Sequence, residues 1–174
     1  MEENQPKTGK YALNYGLLSG GIGVIFGLML YSMDMHYQGD IMTVVISLVI
    51  TLAVIILALI QFKKANNGFM SFGQALKIGV GLCLIGGIIA VIFNQIMANF
   101  IDPDMLGKAI EFQKNKLLET TSLTATQIDE QLAMGKKFQT PVMQIAFGLL
   151  GSIFFGFILT LIPALVLKKQ ENLD

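Results

Sequence analysis

Four stretches without a charged side chain, each long enough to cross a bilayer, constrain this chain more than any other feature. They run from about Tyr11 to Met33, Ile41 to Phe62, Ile78 to Ile101 (entered near Phe72) and Val142 to Leu167. A hydrocarbon core takes roughly 20 helical residues to span. Lipid offers a bare backbone no hydrogen bonds, so such segments must be helices or closed barrels. Continuous apolar runs without strict alternation select helices. The expectation is an all-α fold, a four-helix transmembrane bundle formed as one integral membrane domain over residues 1–174. Its helices are expected at about 11–33, 41–62, 72–101 and 141–167, with an extracytoplasmic helical hairpin inserted at about 102–140.

Composition agrees: 53% of the 174 residues are hydrophobic and 14% charged, against about a quarter charged in soluble domains. All twelve basic residues are lysines, balanced by twelve acids. A neutral chain without arginine is a poor nucleic-acid binder. One cysteine excludes an internal disulfide, and one cysteine with one histidine does not make an ordinary zinc site. The first apolar run is too long for a secretory signal and lacks a small-residue cleavage site, so it reads as an uncleaved anchor.

Boundary residues sharpen the spans. Ser71 and Gln74 match a capping box before the third helix, and Thr124 with Gln127 match another in the insert. Thr140-Pro141 places a cap and an N1 proline before the fourth helix, and Pro163 should bend that helix near its end. Asp102-Pro103-Asp104 reads as a helix start with Asp102 as cap, followed by an Asp104–Lys108 pair. Tyr11 and Tyr15 precede the first span, and Tyr31 and Tyr37 follow it, as two halves of an aromatic belt.

Lysine placement orients the bundle. Both termini and the loop between helices two and three carry Lys7, Lys10, Lys63, Lys64, Lys168 and Lys169, with Lys77 able to snorkel back. The short first loop carries no lysine. Short loops dominate the positive-inside rule, so the expected location is a bacterial inner membrane with cytoplasmic N- and C-termini.

Packing in lipid relies on small residues four apart. The first helix offers Ser19, Gly23 and Gly27, with Gly16 and Gly20 on an adjacent stripe. The third offers Ala75, Gly79, Cys83 and Gly87, and the fourth Gly148, Ser152 and Gly156. The second helix has no glycine, so helices one, three and four should form the tight centre and helix two should lie outside against lipid.

The run Lys64 to Gly79 (KANNGFMSFGQALKIG), then Phe93-Asn94, Ile101-Asp102-Pro103-Asp104, Met134 and Pro141, resembles the pattern of a bacterial membrane family, domain of unknown function 4199. The resemblance covers nearly the whole chain and implies an inner-membrane protein with four crossings. It implies no activity and no catalytic residues.

Candidate chemistry is sparse. Polar groups inside a span are the default functional candidates. The third helix holds Lys77, Asn94, Gln95 and Asn99; the lysine reads first as a snorkelling anchor, the amides as interhelical hydrogen-bonders. No acid lies within a span, which weighs against proton- or sodium-coupled transport. His36 between Asp34 and Asp40 is at best a weak cation site, and Cys83 a packing residue. The only histidine lies outside the spans, so no Ser, Thr or Cys has a base. The Asn66–Ser71 stretch reads as a re-entry turn rather than a headgroup or partner dock. The expectation is a non-enzymatic scaffold or accessory membrane component with no cofactor and no catalytic, cofactor-binding or metal residues. Its partners would be the lipid bilayer, together with another membrane protein or a second copy, and no nucleic acid. The alternative is a small-solute transporter or channel working through Asn94, Gln95 and Asn99.

Overall fold

At Ser71 the chain re-enters its third long helix, and the residues there show why it starts where it does. The Ser71 hydroxyl accepts from the Gln74 amide at 3.1 Å, and the Gln74 side chain accepts from the Ser71 amide at 2.8 Å. Two orphan donors are thereby satisfied by one reciprocal pair. In the computed structural model, which describes residues 6–138 and 140–169, similar devices bound most of the helices. The order is α1 (Thr8–Ser32), α2 (Ile41–Ala65), α3 (Phe72–Ile96), α4 (Met105–Thr120), α5 (Ala125–Lys136) and α6 (Pro141–Leu167). Among the described residues there are six α-helices and no strand.

Asp40 caps α2 through the Met42 amide, Thr124 with Gln127 forms a second capping box on α5, and Thr140 caps α6 ahead of Pro141. Asp102 departs from the expected cap. The helix begins only at Met105, and the Asp102 side chain is engaged elsewhere. Between α3 and α4 a five-residue π-helical turn, Met97–Ile101, extends the third span. Four segments are long and apolar enough to cross a membrane: α1, α2, α3 with its π turn, and α6.

Helix α3 is the axis. On one side α1 runs parallel to it, because Gly16 faces Ile85 and Gly20 faces Ile89 in the same order along both helices. Farther along, Gly27 faces the Phe93 ring. On the other side α6 runs antiparallel, in a strict ladder. Gly79 faces Thr160, Cys83 faces Gly156, Gly87 faces Ser152, Val91 faces Gly148, and Gln95 donates to Gln144 at 3.3 Å. Each step of four along α3 meets a step of four back along α6, and the glycine alternates between the two helices. Close approach of backbones at small residues is how helices associate in lipid, where burial against lipid tails supplies little drive.

The position of α2 differs from expectation. Its second half is the best-buried part of the molecule: Ile55, Leu59 and Phe62 are fully buried, packed with Met70, Ile78 and Leu82. Its first half is lipid-facing along Ile41, Met42, Val45 and Val49. The reason is steric. Without glycine, α2 has no small-residue groove for close approach, so bulky side chains wedge into the end of the bundle nearest the chain termini. Tyr11 sits edge-on to Phe62 there, with ring centroids 5.3 Å apart. The same end is closed by the turn after α2, where Asn67 and Gly68 take positive φ and Asn66 donates to the Phe69 carbonyl. Met70 and Lys169 exchange two backbone hydrogen bonds of 2.9 Å, fastening this turn to the end of α6.

Candidate functional site: a cavity bounded by α2

The wedged second half of α2 leaves its first half standing off from α1, α3 and α6. The space between them is a cavity of about 510 Å³, within the usual range for small-molecule sites. It runs from mid-bundle, at Ser19, Thr51 and Cys83, toward the α1–α2 loop, at His36 and Met97. Its walls are mainly apolar, as at Val24, Leu48, Phe26 and Phe155. No lysine, aspartate or glutamate lines it.

One wall carries a polar track that the sequence reading passed over. Thr43, Ser47 and Thr51 recur at every fourth residue of α2 and so share a face. Each hydroxyl donates back along its own helix: Thr43 to the Asp40 carbonyl at 2.7 Å, Ser47 to Thr43 at 2.8 Å, Thr51 to Ser47 at 2.8 Å. Across the cavity, Ser152 donates to the Leu149 carbonyl at 2.8 Å. A hydroxyl has one proton, so these four retain only acceptor capacity. Asn94 and Ser19 also line the cavity, and among the described residues neither side chain is tied to a partner.

The sequence-derived candidates fall into separate places. Gly27, Gly79, Gly87, Gly148 and Gly156 lie where a Cβ would strike the neighbouring helix within 3.0 Å. Gly23 does not: nothing lies within 4 Å of the place its Cβ would take, and it borders the cavity. Asn94 faces the cavity, but Gln95 is bonded to Gln144, and Asn99 folds back to the Gln95 carbonyl at 2.7 Å. Lys77 is exposed near the opposite end of α3. The three amides therefore do not converge, and Lys77 joins none of them.

A charged cluster closes the loop end of the cavity. The π turn adds about one residue to the helical phase, roughly 100° of rotation, before Asp102. Asp102 Oδ2 is 2.9 Å from His36 Nε2, and Lys108 Nζ lies 3.1 and 2.9 Å from Oδ1 and Oδ2. Lysine 108 is thus paired with Asp102 rather than Asp104. The Lys108 ammonium holds the Asp102 carboxyl below its ordinary value, partly opposed by burial and helped by His36. The carboxylate in turn raises the Lys108 ammonium. An ionised carboxylate only accepts, so His36 Nε2 carries the proton of that bond. The His36 side chain is 5% exposed, its Nδ1 is buried without a hydrogen-bond partner, and Tyr31 and Tyr37 pack edge-on to its ring.

The sole histidine therefore borders the cavity instead of lying outside the bundle. Asp34, His36 and Asp40 do not converge, since Asp40 caps α2 and His36 turns to Asp102. Among the described residues no three His, Cys, Asp or Glu side chains are grouped to hold a metal ion. Sequence spacing gave no sign of the His36–Asp102 contact, because the two residues lie 66 apart in the chain.

A family model described as "Protein of unknown function (DUF4199)" matches residues 14–169. The chain belongs to that family. The match takes in α3, most of α1 and every residue that lines the cavity of this DUF4199 protein. No curated protein and no solved structure matches it.

Proposed function

We propose that this DUF4199 protein is a non-catalytic accessory component of a bacterial inner membrane that holds a small amphiphile in the cavity beside α2. The observation that carries this reading is the cavity itself: about 510 Å³, uncharged, apolar-walled and crossed by one polar track. The hydroxyls of Thr43, Ser47, Thr51 and Ser152 spend their protons on backbone carbonyls, and the histidine that borders the cavity is turned to Asp102, which supports binding rather than nucleophilic chemistry. The separation of Asn94 from the bonded Gln95 and Asn99 favours binding over a polar transport path. In this reading the lysine-bearing ends face the cytoplasm, and α4 with α5 form an extracytoplasmic hairpin joined by the Lys114–Asp129 ion pair. A membrane-protein partner or a second copy would receive or supply the amphiphile.

The test is retention of a lipid-like ligand by the purified full chain in mild detergent, read by native mass spectrometry. Gly23 borders the cavity and nothing lies within 4 Å of the place its Cβ would take, so Gly23→Phe should fill the space and abolish retention, with an unchanged melting temperature showing that the fold survives. Equal ligand occupancy in Gly23→Phe and the parent chain would overturn the assignment.

A further inference from the structure

Resting on that reading, we infer that His36 Nδ1 anchors the polar end of the cavity's occupant, and that this end carries a neutral hydrogen-bond donor. Among the described residues, Nδ1 is the one buried side-chain nitrogen or oxygen without a partner. Such a group costs free energy until something meets it. His36 lines the cavity, with its side chain only 5% exposed, whereas Asp102 does not line it. The Nε2 edge of the ring is therefore directed out of the cavity, at the carboxylate. Nδ1 lies across Cε1 from that bond, on the part of the ring left to the cavity. Turning the ring over would bring Cε1 to the carboxylate and lose the bond, so Asp102 fixes which nitrogen stays free. Tyr31 and Tyr37 pack against the ring and hold it there.

The chemistry of the ring sets the class. An ionised Asp102 only accepts, so Nε2 carries a proton. Lys108 already neutralises that carboxylate at 2.9 Å, which leaves no counterion for a positive charge on the ring. In a neutral imidazole protonated at Nε2, Nδ1 is a bare lone pair. It accepts, so its partner must donate. An ether, an ester or a ketone brings no proton. A carboxylate or a phosphate would set lone pair against lone pair, and no lysine lines the cavity to hold it. An ammonium donates, but no acid lines the cavity to offset its lost hydration. A neutral O–H or N–H remains.

His36 is the only histidine in the chain, so isotopic nitrogen labelling of histidine gives one pair of ring resonances. They would be read in the unaltered full chain in lipid nanodiscs at about pH 8, above the ordinary histidine value of about 6.5. Saturating n-octanol or octanamide should move the Nδ1 resonance upfield, as an accepted hydrogen bond does, and leave Nε2 protonated. Methyl octyl ether should not move it. The chain contains no tryptophan, so Phe26→Trp on the cavity wall reports affinity through quenching by the same probes brominated at the chain end. The alcohol or the amide should bind with an apparent Kd about three- to tenfold below the ether, the worth of one hydrogen bond, and the tighter of the two names the donor. His36→Phe, which keeps a ring and removes the acceptor, should bring all three within about twofold. An Nδ1 resonance already shifted before any probe is added, and unmoved by it, overturns the inference in favour of a resident water. Tighter binding of octanoic acid or of octylamine overturns it in favour of an ion site. If alcohol, amide and ether bind equally and Gly23→Phe blocks all three, the anchor falls and the cavity reading stands. If no probe binds, or if binding is unchanged in Gly23→Phe, the cavity reading falls and the anchor with it.

Discussion

Gly79→Ala isolates the α3–α6 ladder with a single methyl group. The added Cβ would lie within 3.0 Å of Thr160 Oγ1, Cγ2 and Cβ. Thr160 has little freedom to yield: it is fully buried, β-branched, and its hydroxyl donates to the Gly156 carbonyl at 2.5 Å. The helices must therefore separate, loosening the neighbouring Cys83–Gly156 contact. Overpacking of this kind costs about 1–3 kcal/mol. The usual gain from replacing a helical glycine, about 0.5–1 kcal/mol, is mostly absent, because a membrane segment stays helical when its neighbours dissociate. A net loss of about 2 kcal/mol is expected. The only cysteine in the chain sits on this seam, 8% exposed, so its alkylation reports opening. A loss of about 2 kcal/mol should speed that reaction about thirtyfold. Gly23→Ala, whose methyl meets nothing within 4 Å, should leave the rate within about twofold of the parent. Adding Thr160→Gly to Gly79→Ala should recover at least about 1 kcal/mol through coupling of the two positions. Equal alkylation rates for Gly79→Ala and Gly23→Ala would refute the ladder.

The loop cluster and the caps give further expectations. Asp102→Asn should expose His36, the sole histidine, to diethyl pyrocarbonate, which modifies it slowly while its side chain is 5% exposed. The Asp102 carboxyl is held low by Lys108, so the ionised form contributes its stability fully above the ordinary value of about 3.9. That contribution fades as pH falls through the depressed folded value. Lys108 is raised, so its contribution is full below about 10.4 and fades as pH rises through the elevated folded value. The difference in melting temperature between parent and Asp102→Asn should accordingly close at the acid end, as pH falls through the depressed Asp102 value. Ser71→Ala removes a reciprocal cap and should cost about 1 kcal/mol, read as a lower melting temperature in detergent.

Most of the fold was legible in the sequence because its signals are local. Uncharged runs mark the spans, and Ser71-x-x-Gln74, Thr124-x-x-Gln127 and Thr140-Pro141 mark helix starts whose hydrogen bonds close within three residues. The Asp102 error has the same origin. A cap competes locally, whereas the carboxylate is claimed by His36 from another loop and by a lysine six residues on. The cavity beside α2 was harder to read. Thr43, Ser47 and Thr51 are each unremarkable in a helix rich in valine and isoleucine, and a four-residue polar repeat becomes a wall only when another element stands away from it.

The missing glycines of α2 account for both the core and the cavity. Helices α1, α3 and α6 share small residues and approach closely along much of their length. A fourth helix without such residues cannot join that contact everywhere. Its bulk must go to one end, where Ile55, Leu59 and Phe62 are fully buried, and the rigid rod then stands off at the other. The standoff exposes whatever α2 carries on its inner face over its first three turns. In a helix that served only as lipid-facing packing, that face would be aliphatic, as its outer face is at Ile41, Val45 and Val49. It carries three hydroxyls instead, aligned on the one surface that lipid tails would leave unmatched. Glycine introduced along α2 would let it close on α3, so Leu48→Gly with Val44→Gly should shrink the cavity and weaken amphiphile retention. Retention unchanged in that variant would show that the standoff of α2 is not what makes the site.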